Sequence, residues 1–121
     1  MSISDDRVAP PEGVWESHLD VRESVRAGAH TLALNGELDL ANAPQVEAAL
    51  GRVCENGTRA VTLDLSGVTF MGSTGLRLVL HAKELCDANG WEFRVVPGPV
   101  NVQRVFEITG LGNAIPFERR R

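Results

Sequence analysis

The twenty residues from Val61 to Leu80, VTLDLSGVTFMGSTGLRLVL, constrain this chain more than any other stretch. They open as an apolar, β-branched run suited to a strand covered on at least one face. They then pass through two hydroxyls bracketed by glycines, Gly72-Ser73-Thr74-Gly75, and close with Leu76, Val79 and Leu80 at helical spacing. A strand that turns directly into a helix belongs to a layered α/β architecture, and it leaves Ser73 and Thr74 at an exposed helix N-terminus.

That position has its own chemistry. The first N–H groups of a helix lack intrahelical partners, and the aligned peptide dipoles make that end partly positive. A Ser or Thr oxygen can satisfy one of those donors, and a phosphate is welcome at the same place. Gly72 and Gly75 let the backbone turn sharply and leave little side chain over the hydroxyls, so a macromolecule can approach. A plain helix cap would also account for the four residues, and the rest of the chain must decide between the two.

The chain has 121 residues, enough for one domain with a real core, and 43% of them are hydrophobic. No run approaches the ~20 apolar residues of a membrane helix. The first ten residues, MSISDDRVAP, lack the basic start and apolar centre of a secretory signal, so a cytoplasmic protein is expected. A net charge of −4 argues against direct binding to nucleic acid, which needs Lys and Arg to neutralise phosphates. The basic end, Arg119-Arg120-Arg121, is too short for a nucleic-acid or membrane patch. Cys54 and Cys86 fall within expected helices without a CxxC spacing, as reduced, packed thiols.

In chain order, residues 1–13 are polar and end in Pro10-Pro11-Glu12-Gly13, a disordered lead-in to a domain at 14–121. The alternation from His18 to Arg22, the turn at Ala27-Gly28 and the run from Thr31 to Asn35 predict a hairpin. Asn42 then caps a helix with Pro44 in its first turn; Val46, Ala49, Leu50 and Val53 form its apolar face, and Asn56-Gly57 ends it. Residues 59–65 are a central strand, and a second helix from Ser73 or Thr74 stops at Asn89-Gly90. A strand at Glu92–Val96, a third helix with Val102, Val105, Phe106 and Thr109 on one face, and a short edge strand at Ala114–Phe117 complete the chain. The order β-β-α-β-α-β-α-β predicts an α/β fold with a mixed, mostly parallel sheet and helices mainly on one side.

Three segments together carry a family resemblance: Gly36-Glu37-Leu38-Asp39; Leu63-Asp64-Leu65 with Phe70-Met71-Gly72-Ser73-Thr74-Gly75-Leu76; and Val105-Phe106-Glu107-Ile108-Thr109-Gly110-Leu111. In their order and spacing over about residues 30 to 117, the chain resembles the anti-sigma factor antagonists of the STAS-domain family. The resemblance implies a single STAS domain and a binding protein, not an enzyme, that works as a phosphorylation switch. The unmodified form would bind an anti-sigma factor serine kinase and so free a sigma factor. Phosphorylation at Ser73, with Thr74 as the fallback acceptor, would end that binding, and a phosphatase would reset it. Asp39, Met71, Gly72, Ser73, Thr74 and Gly75 would form the partner-binding surface, and the free protein is expected to be a monomer.

Two departures from the family pattern matter. The family usually carries Asp before the phosphorylated residue, and this chain has Gly72, which removes a possible helix cap and a possible kinase contact. The family also commonly adds a short helix after the last strand, whereas this sequence ends at Arg121; either the domain is minimal or a partner-facing surface is missing. Asp39 can equally be a turn residue, and Asp64 is expected to be structural or to face solvent.

Other chemistries lack their residues. GSTG is not a G-x-S-x-G elbow, and of the three histidines, His18 and His30 lie in the hairpin while His81 is two turns beyond Ser73. No metal-ligand spacing and no phosphate-cradling glycine motif occurs, so no metal and no cofactor are expected. The competing possibility is a STAS regulatory subunit of a transport or other non-sigma assembly, in which Ser73 and Thr74 would contact a partner or a nucleotide.

Overall fold

The computed structural model describes residues 18–54 and 57–118. The lead-in at residues 1–13, Asn56 and the Arg119–Arg121 cluster lie outside them. Within them the elements run β1 (Leu19–Arg26), β2 (Ala29–Leu38), α1 (Ala43–Val53), β3 (Ala60–Met71), α2 (Ser73–Asn89), β4 (Glu92–Val96) and α3 (Val100–Ile108).

The four strands form one sheet in the order β1-β2-β3-β4. The β1/β2 pair is antiparallel, joined through Ala27 (φ 50°) and Gly28 (φ 81°), two consecutive left-handed residues that give the tight turn a twisted hairpin favours. The β2/β3 and β3/β4 pairs are parallel. Each crossover therefore needs a helix, and because both step along the sheet in the same direction with the same preferred hand, α1 and α2 cover the same face.

That face holds the core. Leu32, Leu34, Val61, Leu63, Leu65, Phe93 and Val95 point into it from the strands and meet Val46, Ala49, Leu50 and Val53 of α1 and Val79 and Ala82 of α2. The third helix adds Val102 and Phe106 to the same cluster. The opposite face carries the alternate residues, among them Arg22, Thr62, Asp64 and Arg94, none of which is buried. A one-sided mixed sheet is thus what the chain builds.

Four local expectations are corrected. The central strand continues past Leu65 to Met71, because register shifts in its pairing with β2 absorb Ser66-Gly67 instead of ending the ladder. Asp64 braces this irregularity, its Oδ1 accepting from the Ser66 N–H at 2.9 Å and the Ser66 hydroxyl at 2.7 Å. Gly67 leaves room there for the Asn35 side chain, which a Cβ would force to move. Asn42 stands at the start of α1 but does not cap it with its side chain; its backbone is αR rather than extended, and its buried amide donates to the Glu37 carbonyl at 2.7 Å. The expected C-terminal strand is a single parallel bridge between Val95 and Phe117, since Pro116 has no N–H with which to extend a ladder.

The fourth correction concerns the thiols. Cys86 is buried as expected, but Cys54 caps the C-terminus of α1 and is exposed. Burial, reinforced by Asp87 and Cys54, pushes the Cys86 thiol up to about 11. The folded chain therefore holds this proton more tightly than the unfolded chain does. The resulting stabilisation is complete below about pH 9 and is lost as pH rises through 11. Iodoacetamide at pH 8 is expected to label Cys54 alone, with Cys86 reacting only on unfolding. In a Cys54→Ser background the urea midpoint should fall between pH 8 and pH 10.5; labelling of Cys86 in the folded protein would contradict the assignment.

Candidate functional site

The site forms where β2 and β3 end side by side. Leu38 pairs with Met71, and the Gly72 N–H donates to the Leu38 carbonyl at 3.3 Å, so the turn after β2 and the turn after β3 are tied together. Asp39 and Ser73 each lie just past one of these strand ends. In open parallel sheets this carboxyl edge is where functional groups gather.

Asp39 builds its own turn. Its Oδ1 accepts from the Ala41 N–H at 3.1 Å, and its carbonyl accepts from Asn42 at 3.1 Å and Ala43 at 3.0 Å. This is the local role that an Asp after a strand favours, and it fixes the approach of the β2–α1 turn to the site.

Ser73 is the first residue of α2 and is exposed, while Thr74 behind it is half-buried. Gly72 occupies the N-cap with extended backbone (φ −96°, ψ −169°), no side-chain cap is made, and the first turn of α2 contains no acidic residue. No carboxylate from the helix's own first turn therefore offsets its positive end beside the Ser73 hydroxyl.

The two glycines differ in role. A Cβ on Gly72 would touch only the Phe70 ring, at 3.7 Å, which is ordinary contact. A Cβ on Gly75 would collide with Met71 and lie 3.0 Å from Leu38 Cγ, so this glycine seats α2 on the strands and is itself buried. Close packing, rather than access for a partner, explains Gly75. Met71 is corrected likewise: at 4% exposure it belongs to the core, and its neighbour Phe70, 51% exposed, is the side chain presented outward.

Because Gly72 tolerates a side chain in a backbone suited to capping, Gly72→Asp is expected to stabilise the fold by about 0.5 kcal/mol through cap and dipole. Chemical denaturation measures this, and an unchanged or lower midpoint would contradict it.

Beside Thr74 a groove of about 580 Å³ runs between α1 and α2, with Leu40 and Pro44 on one wall and Arg77 and His81 on the other. Arg77, one turn beyond Ser73, and Leu40 escaped the sequence analysis; spacing along α2 could have flagged Arg77, whereas nothing in the sequence indicates that Leu40 is exposed. Among the described residues no cluster of His, Cys, Asp and Glu is arranged to hold a metal ion, and no helix is long and apolar enough to cross a membrane.

Comparison with known proteins agrees with this architecture. The anti-sigma-B factor antagonist of Staphylococcus aureus is 30% identical over 94 residues, covering 78% of this chain and 87% of that protein. The crystal structure of an anti-sigma factor antagonist from Mycobacterium paratuberculosis superposes with a TM-score of 0.76 at 26% identity, covering 93% of this chain and 92% of the other. The fold is shared with SpoIIAA in its unphosphorylated form (TM-score 0.69, 21% identity, 85% of this chain and 90% of the other). It is shared too with phosphorylated SpoIIAA (TM-score 0.64, 20% identity, 85% and 93%). With the STAS domain model matching residues 19–121, the chain belongs to the STAS domain family.

Proposed function

We propose that this protein is an anti-sigma factor antagonist whose unmodified form binds an anti-sigma factor kinase and thereby releases a sigma factor, and that phosphorylation of Ser73 ends the binding. The observation that carries this is the exposed Ser73 hydroxyl on the first residue of α2, at the edge where β2 and β3 end together. A kinase can reach that oxygen without unfolding anything. Thr74, half-buried against the groove, is the less accessible acceptor.

Phosphorylation adds about −1.5 to −2 charges and three acceptor oxygens. On this side of the interface the helix N-terminus favours the new charge, so the domain keeps its fold. That expectation fits a fold which SpoIIAA adopts in both a phosphorylated and an unphosphorylated form. On the partner's side the same charge must be desolvated against a surface shaped for a hydroxyl, which is costly. The switch is therefore local: the interface fails and the domain does not. A phosphatase that removes the group restores the binding surface.

The test is direct. A purified complex of sigma factor and anti-sigma factor from the native cell, mixed with the unmodified protein, should release sigma factor and form an antagonist–anti-sigma complex on gel filtration. If none of the cell's anti-sigma factors forms a complex with the unmodified protein, the proposal is wrong.

A further inference from the structure

Large apolar side chains left in water are the feature of this surface that the fold does not explain. Among the described residues they are Val25, Leu40, Phe70, Val100 and Ile108. Their placement is uneven. Leu40 (77% exposed) follows the end of β2, Phe70 (51%) stands one residue before the end of β3, and Val100 (72%) opens α3 just beyond β4. Each of the three parallel strand ends thus carries one exposed hydrophobe, all at the edge that holds Ser73. Val25 pairs with His30 near the start of β2, and Ile108 ends the helix that runs back from β4, so both lie at the other end of the sheet.

Each is tied to a residue next to the serine or to the end of the strand that precedes it. The Phe70 ring abuts Gly72, where a Cβ would lie 3.7 Å from it. Leu40 lines the same groove as Thr74. The Asn101 side chain donates to the Thr69 carbonyl at 2.9 Å, which draws the start of α3, and Val100 with it, against the end of β3.

We infer that Leu40, Phe70 and Val100 are the apolar anchors with which the protein grips its anti-sigma factor, forming a rim around Ser73. This rests on the function proposed above and names the chemistry of the partner: a protein surface with apolar pockets for Leu40 and Phe70 that drives water from the serine between them. Continuity with the Ser73 site selects this occupant, because a partner that reaches the hydroxyl must also cover the side chains beside it. Buried apolar anchors concentrate binding energy, and a contiguous exposed patch is the usual mark of such a site. The rim also explains how one phosphate can end binding. A dianion set among apolar contacts that exclude water must be desolvated for the partner to close over it, which is costly.

The experiment is calorimetric titration of the purified native anti-sigma factor kinase with the full chain and with Leu40→Ser, Phe70→Ser, Val25→Ser and Ile108→Ser. Sedimentation of each variant alone is measured in parallel. Leu40→Ser and Phe70→Ser are expected to weaken binding at least tenfold, on the order of a lost anchor, while Val25→Ser and Ile108→Ser stay within about twofold. All four changes are on the surface, and unchanged thermal unfolding verifies that each variant folds; Leu40→Met, which keeps the apolar contact, should bind as the parent does. Equal affinity of all variants with a parent that binds would overturn the inference and leave the proposed function standing. A parent that binds no anti-sigma factor would overturn both. A parent dimer that Leu40→Ser or Phe70→Ser converts to a monomer, with kinase binding unaltered, would assign the rim to self-association instead.

Discussion

Ser73→Asp is expected to weaken binding to the anti-sigma factor by at least about 100-fold, equivalent to roughly 2.7 kcal/mol. Ser73→Ala should bind within about threefold of the parent. Ser73 is exposed on the first residue of α2, so neither change disturbs the core, and the carboxylate of the Asp variant sits where the helix dipole favours it. Stability is therefore expected to hold or rise slightly in Ser73→Asp while binding collapses. That divergence separates a lost interface from a lost fold. Titration calorimetry with the two variants, beside their denaturation curves, measures it; an Asp variant of full affinity would remove charge as the mechanism.

Phe106→Ala should cost about 3 to 5 kcal/mol of folding stability. Phe106 is fully buried, and its ring meets Phe117 edge to face with centroids 4.9 Å apart. It joins α3 to the core and to the segment that bridges Val95, so truncation leaves a cavity and also loosens the C-terminal segment. For a domain whose total stability is about 5 to 15 kcal/mol, this is a large share. Urea unfolding should show a much lower midpoint, and a loss below about 1 kcal/mol would mean that α3 is not held as described.

Much of this was legible in the sequence, for physical reasons that differ from one element to the next. The parallel strands and their helices announced themselves because a buried β-branched run and a 3.6-residue apolar period are strong, local signals. Gly90 stopped α2 as expected, in a left-handed conformation (φ 72°) with the Trp91 N–H returning to the Cys86 carbonyl at 2.9 Å. The place of Ser73 at the start of α2 was legible for a similar reason: a helix start is set by the few residues around it.

The rest depended on contacts between distant segments. Two irregularities in the β2/β3 pairing shift the inward and outward alternation between Leu65 and Met71. Counting along the chain therefore could not decide which of Phe70 and Met71 faced the core. Asn42 has the composition of a cap, but burial beneath the β2–α1 turn aims its amide at Glu37 instead. Gly75 looked like an opening for a partner, whereas Leu38 and Met71, brought beneath it by the parallel register, make it a packing residue. Leu40 gave no signal at all, because an apolar residue in a turn shows its exposure only once the turn is built.

The most direct measurement is to incubate the purified protein with its native anti-sigma factor kinase and ATP, beside Ser73→Ala, and to map any phosphate by peptide mass spectrometry. The switch predicts one phosphoryl group, on Ser73, requiring ATP and absent from Ser73→Ala, and a modified protein that no longer co-migrates with the kinase. An unmodified Ser73 under conditions where the kinase phosphorylates another antagonist, or a phosphorylated protein that still binds, would contradict it.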